Sequence, residues 1–246
     1  MTIPNRRERA MSNLLEVRET IKRLYGKYEM YITPVLKFLL TLVGIIMINS
    51  CLGYMDLLNN VFIVLIAAVA CAILPWSCSL VVCALFVIGH IYSLAMECAL
   101  IAVAIFAVMF LLYFRFTPKD AILVLLTPIC FFLKVPYLIP ICVGLVCTPV
   151  SVVSVACGVI THYLLGAVSD SAVAMSGNEG DITTTLKIML EGIIGNTAMI
   201  VTICAFAATI VVVYIIKRLA VDYSWTIAMV TGAIVDAMIL LIGDLL

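Results

Sequence analysis

Forty consecutive residues between Asp56 and Glu97 carry no Asp, Glu, Lys or Arg. A membrane-crossing helix needs about 20 apolar residues, so this stretch accommodates two. Pro75-Trp76-Ser77 divides them, because proline ends a helix and tryptophan favours the membrane interface. The same reasoning along the chain predicts spans near 33–53, 57–74, 78–95, 97–114, 149–166, 197–216 and 224–243. Composition agrees. The chain is 65% hydrophobic and 11% charged, whereas a soluble domain carries about 25% charged residues. Charge this sparse cannot cover a water-exposed surface, so lipid must solvate much of the chain. The expected fold class is an all-α, polytopic integral membrane bundle formed by residues 31–246. Its first apolar run, near Tyr31, follows a polar stretch too long for a signal peptide's basic region, and is expected to be retained.

Net charge is zero, but eight of the fourteen basic residues lie within residues 1–37. Basic loops stay on the cytoplasmic side. With the N-terminus there, Arg115, Lys119, Lys217 and Arg218 also fall inside. The loop at 167–195, with Asp170, Glu179, Asp181 and Glu191 against Lys187, falls outside. Residues 121–166 must then begin inside and finish outside. Three crossings would each be too short, and Pro128, Pro136, Pro140, Gly144, Pro149 and Gly158 interrupt the region. A re-entrant pair of half-helices, about 121–133 and 137–147, followed by one span, meets both constraints. Irregular backbone at that depth requires surrounding protein or a water-filled cavity. The count is seven spans, with six to nine compatible, in a plasma membrane with the C-terminus outside.

Residues 1–30 form a basic cytoplasmic segment. Within it, Leu14, Val17, Ile21, Leu24 and Tyr28 recur at helical spacing, with Arg18, Lys22, Arg23 and Lys27 on other faces. The pattern over 13–29 suits a helix lying on anionic inner-leaflet lipids; a dimerisation seam and a docking helix for a partner subunit are the other readings. In the outside loop, Ser169 to Gly180 reads as small and polar. Asp181 then caps an amphipathic helix carrying Ile182, Leu186, Met189, Leu190, Ile193 and Ile194, expected along the outer interface.

Ionisable side chains at membrane depth are costly and therefore candidates for function. Asp236, midway along the last span beside Gly232 and Ala233, suits cation pairing, proton relay or a structural hydrogen bond. Lys134 marks the hairpin tip in the re-entrant threading, where it would favour an anionic solute or pair with an acid such as Asp236. In a three-span threading it is a loop residue. Thr148, Ser151 and Ser154 complete a candidate substrate pathway, with His90 and Glu97 as outliers separated by the turn between their helices. His162, beside Tyr163 near the expected outer end of its span, reads as interfacial.

Ten cysteines lie mostly in apolar runs and read as small, soft packing residues. Cys78 and Cys83, and Cys142 and Cys147, are five apart, an offset that turns the thiols away from each other on a helix. No zinc-protease, phosphate-loop, nucleophile-elbow or paired-cysteine motif is present. Neither an enzyme, a cofactor nor a nucleic-acid partner is therefore expected. The expected function is a small transporter or its membrane subunit; the alternative is a non-catalytic scaffold or assembly subunit.

Overall fold

The computed structural model describes residues 30–177, 187, 189–193, 195–219 and 223–245, which contain helices and short connections and no strand. The expected amphipathic helix at 13–29 lies outside the described residues. In chain order the helices are α1 (Met30–Cys51), α2 (Val61–Ile73), α3 (Trp76–Leu94), α4 (Met96–Phe116), α5 (Ala121–Phe132), α6 (Leu138–Val146), α7 (Val152–Gly177), α8 (Thr197–Lys217) and α9 (Ser224–Leu245). Six stretches are long and apolar enough to cross a membrane: Met30–Cys51, Trp76–Leu94, Met96–Phe116, Pro149–Val173, Met189–Lys217 and Ser224–Gly243. Leu100, Leu111, Ile234 and Leu241 are among the many large apolar side chains on the outside of the bundle. That much exposed apolar surface is tolerated only where lipid covers it. The protein is an integral membrane helical bundle.

Polar contacts fix which helix ends lie together. At one face, Ser77 meets the Tyr113 hydroxyl at 3.4 Å and that hydroxyl donates to the Pro118 carbonyl at 2.7 Å. Ser151 donates to Asp120 at 2.6 Å, and Ser154 to Thr117 at 2.6 Å. Lys217 Nζ donates to the carbonyls of Leu145 and Cys147. Arg115, Lys119, Lys217 and Arg218 therefore share one face, called basic below. At the opposite face, Asn49 donates to the Leu58 carbonyl at 2.8 Å and meets His90 at 2.9 Å.

The segment expected as a full span at 57–74 is a helix of 13 residues. At 1.5 Å per residue it is about 20 Å long, short of the roughly 30 Å hydrocarbon core. It nevertheless runs between the two faces. Asn60 caps its start by accepting from Phe62 N. At its end Lys37 donates to the Leu74 carbonyl at 2.9 Å and sits over the Trp76 ring. A cation there satisfies a carbonyl at the negative end of the helix.

Residues 121–150 do not cross. Asp120 contacts Ser151, a Cβ on Gly158 would lie 2.5 Å from Thr127, and Phe131 stacks on His162. Those pairs advance together, so α5 and α7 are parallel and start at the basic face. Gly144 packs against Val213, and the Leu145 carbonyl accepts from Lys217, so α6 returns to that same face alongside α8. The α5–α6 unit is a re-entrant hairpin.

The core has two apolar clusters, and α5 and α7 serve both. Val124, Leu125, Ile129, Cys157, Leu164 and Val168 join the cluster shared with α1, α3 and α4. Leu123, Cys130, Val155 and Val159 join Ile139, Val143, Phe206 and Ile210 in the other. Helix α7 overturns two expectations. It continues to Gly177, eleven residues past the expected end at 166, so 169–177 is helix rather than loop. Val168 and Ser171 are buried, and the Ser171 hydroxyl bonds back to the Ala167 carbonyl at 2.7 Å. Small polar residues thereby stay compatible with a packed helix. The expected interfacial helix is described only in part, at 187, 189–193. There Met189 and Ile193 are buried in the first cluster rather than spread along an interface.

Gly158 is the tightest point between α5 and α7, while a Cβ on Gly166 of the same helix meets nothing within 4 Å. Gly158→Val should lower the melting temperature in detergent by the equivalent of about 1–3 kcal/mol of overpacking. Gly166→Ala should leave it unchanged or raise it by removing about 0.5–1 kcal/mol of glycine cost. Equal effects at both positions would contradict this packing.

Candidate functional site

The hairpin turns at Lys134, whose φ of 61° lies in the left-handed region. Lys134 N donates to the Phe131 carbonyl at 3.0 Å and Val135 N to the Cys130 carbonyl at 2.9 Å. This pair of bonds is the Schellman motif, which closes a helix C-terminus and usually places glycine at the left-handed position. Pro136 follows and prevents the helix from continuing. A non-glycine residue held there costs about 1–3 kcal/mol, and such strain gathers at functional sites.

The tip is deep. Phe131 stacks on His162 with ring centroids 4.3 Å apart, and His162 is ten residues beyond Val152. Ten residues of helix span about 15 Å, half of a roughly 30 Å hydrocarbon core. His162 is therefore not at the outer end of its span, as expected, but well inside α7, because the helix continues beyond residue 166. Lys134, one turn past Phe131, is exposed. Among the described residues it forms no ion pair; the one pair there joins Lys187 and Glu191.

A row of polar and aromatic groups shares this depth. Tyr163 and Thr202 hydroxyls are 3.2 Å apart, linking α7 to α8. Phe131 also meets Phe206 at 6.0 Å and the edge of Tyr163 at 6.4 Å. His162 is half-buried, and no hydrogen bond to its ring nitrogens forms among the described residues. Sequence reasoning set this histidine aside. The signal that could have found it was the spacing of Leu164, Val168 and Ser171, which extends the helix and moves His162 inward.

Asp236, on α9, is 2% exposed. Thr209 donates to its Oδ1 at 3.3 Å, while its Oδ2 has no partner among the described residues. Gly232, one turn earlier, lies against Val213, Thr209 and Ile141, so small residues do bring α6, α8 and α9 together here. Asp236 and Lys134 are not paired.

The other expected pathway residues are dispersed. Thr148 is exposed at the basic face. Ser151 and Ser154 are buried there and occupied by Asp120 and Thr117. Glu97 is exposed in the first turn of α4, where a carboxylate suits the helix dipole. His90 is fully buried. Met55 N donates to its Nδ1 at 3.2 Å, and its Nε2 faces Asn49 Oδ1 at 2.9 Å. With Nδ1 accepting, the proton sits on Nε2 and donates to Asn49, whose amide nitrogen donates to Leu58. This chain pins the 52–60 connection and gives His90 a structural role.

Among the described residues no three His, Cys, Asp or Glu side chains cluster to hold a metal, and all ten cysteines are free. A cavity of about 40 Å³ among Met47, Cys83, Phe106, Met109 and Cys157 is walled by apolar atoms. Ligand pockets usually span about 300–1,000 Å³, so it is too small for a solute.

Lys134→Gly should raise the melting temperature, relieving about 1 kcal/mol of left-handed strain, whereas β-branched Lys134→Val should lower it. Thermal unfolding in detergent reads both, and destabilisation by glycine would refute this turn. No protein-family model, curated protein or solved structure matches the chain.

Proposed function

We propose that the chain is the membrane subunit of a small-solute transporter, with the α5–α6 hairpin as the element that meets the solute. The observation that carries this reading is Lys134, a strained cation with no ion pair among the described residues, at the tip of a hairpin that returns to its own face. Transporter sites commonly lie near the bilayer midplane, between the ends of interrupted helices. Irregular backbone at such depth is stable only inside protein or beside water. Asp236 adds a second ionisable group, with one carboxylate oxygen unpartnered among the described residues. Ser151 and Ser154 close the base of the hairpin in this reading rather than line the path. The basic face would be cytoplasmic under the charge rule, in a plasma membrane.

A scaffold or assembly subunit is the second reading. It is favoured by the same two serines, whose hydroxyls are consumed by internal bonds and are not free for a solute. Here the basic segment at 1–29 would dock inner-leaflet lipids or a partner subunit.

Uptake screening in proteoliposomes should identify a transported solute. Lys134→Ala and Asp236→Asn should then each reduce its flux by about tenfold or more, the effect of losing one charged contact. Unchanged flux in both variants would sink the transport reading. Deleting residues 1–29 should spare flux under the first reading and lose co-purifying partners under the second.

A further inference from the structure

We infer that the crevice between α1 and α2 is a lipid-binding site, holding one acyl chain of a glycerolipid whose head group carries no net charge. The crevice has a volume of about 430 Å³, within the range of about 300–1,000 Å³ common for ligand pockets. Its walls are Leu42 and Ile46 on α1 and Val61, Val64 and Leu65 on α2. Asn49, Ser50 and Asn59 line its end at the face opposite Lys217.

The surroundings keep this space open toward lipid. At the basic face Lys37 ties the end of α2 to α1 through the Leu74 carbonyl. At the other face the 52–60 connection is held by α3, where Met55 N donates to His90 and Ser93 to the Tyr54 carbonyl. Helix α2 is therefore anchored at both ends. Between those anchors Ile46, Val61 and Leu65 remain exposed. Their surroundings are hydrocarbon, so a lipid chain reaches the crevice sideways.

Size selects the occupant. Leu42 to Ser50 spans about 12 Å of helix. A helix is about 10–12 Å wide with its side chains, so that length of a partner helix would fill roughly 1,000 Å³. This is more than twice the space available. An acyl chain is thinner, and it crosses its leaflet in about 15 Å, half of the hydrocarbon core.

Polarity selects its orientation. His90 and Ser93 lie in the last two turns of α3, so the mouth stands at the hydrocarbon edge, where lipid esters begin. Ser50 and Asn59 are exposed there, and neither side chain has a hydrogen bond among the described residues. Polar groups at this level need partners, because hydrocarbon offers none. A hydroxyl and an amide N–H both donate to an ester carbonyl. No charged side chain lines the crevice, and the exposed Asp56 on the connection disfavours an anionic head. A glycerolipid with a neutral or zwitterionic head meets these conditions. The site depends on neither the transport nor the scaffold reading.

The test is photolabelling of the full chain, purified in detergent, with phosphatidylcholine carrying a diazirine in one acyl chain near the ester. Adducts mapped by mass spectrometry should concentrate within residues 42–50 and 59–65 and saturate at a single lipid per chain. Ile46→Trp and Leu65→Trp, which fill the crevice from opposite walls, should each lose these adducts without a change in melting temperature. Ser50→Ala, at an exposed position, should weaken labelling by about fivefold, the scale of one hydrogen bond. The phosphatidylglycerol analogue should label less, and Asp56→Asn should narrow that difference. Adducts spread equally over the outward-facing Leu100, Leu111 and Leu241, or adducts that survive both tryptophan variants, would overturn the site. Cross-links joining residues 42–50 of two chains would make the crevice a contact between copies and overturn it as a lipid site. Labelling unchanged by Ser50→Ala would overturn the ester contact, and equal labelling by phosphatidylglycerol the uncharged head-group class.

Discussion

Inside a bilayer every backbone amide and carbonyl must find a partner within the protein, because hydrocarbon offers none. This constraint governs where the chain can break its helices. The connections at 52–60 and 117–120 lie at the bundle's faces, and each is tied by side chains such as Asn49, Ser93 and Tyr113. The turn made at mid-depth, at Lys134, closes itself through the 131–134 and 130–135 backbone bonds. A hairpin that could not cap its own helix end would not be stable there.

Packing then decides what the hairpin can do. Helices α5 and α6 lean on different partners, α5 on α7 and α6 on α8, so the hairpin bridges the two apolar clusters. Gly158 against Thr127 and Gly144 against Val213 set the closest approaches. Without a hydrophobic force between helices in lipid, such small-residue contacts carry much of the association. At the base, Lys217 on the Leu145 and Cys147 carbonyls and Ser151 on Asp120 fasten both legs. The base is thus firmly seated, while the tip is exposed and turns through a left-handed residue.

Much of this was legible in the sequence, for identifiable reasons. Charge-free runs bounded by Lys37, Pro75, Arg115 and Lys217 mark helices because lipid penalises anything else. Grouping the basic residues requires an odd number of crossings over 121–166; a hairpin followed by one span meets that with helices of adequate length, and the contacts agree. Misreadings arose where tertiary packing overrides local pattern. Residues 167–177 look like a polar loop, but Val168 and Ser171 fall on the buried stripe of α7. That error displaced His162 from the interior to an edge and hid its stack on Phe131. Ser151, Ser154 and His90 were grouped with a pathway because polarity in an apolar run is visible in sequence; that their hydrogen bonds are already satisfied is visible only in three dimensions.

Everything distinctive about the site depends on the hairpin returning to the face it left. The most direct measurement is the sidedness of single cysteines placed at Lys119 and Thr148, just before and just after it, using an impermeant thiol reagent on sealed, oriented vesicles. Both positions should label from the same side, whichever side that is. Labelling from opposite sides would mean that residues 121–147 cross the bilayer, and would contradict the account.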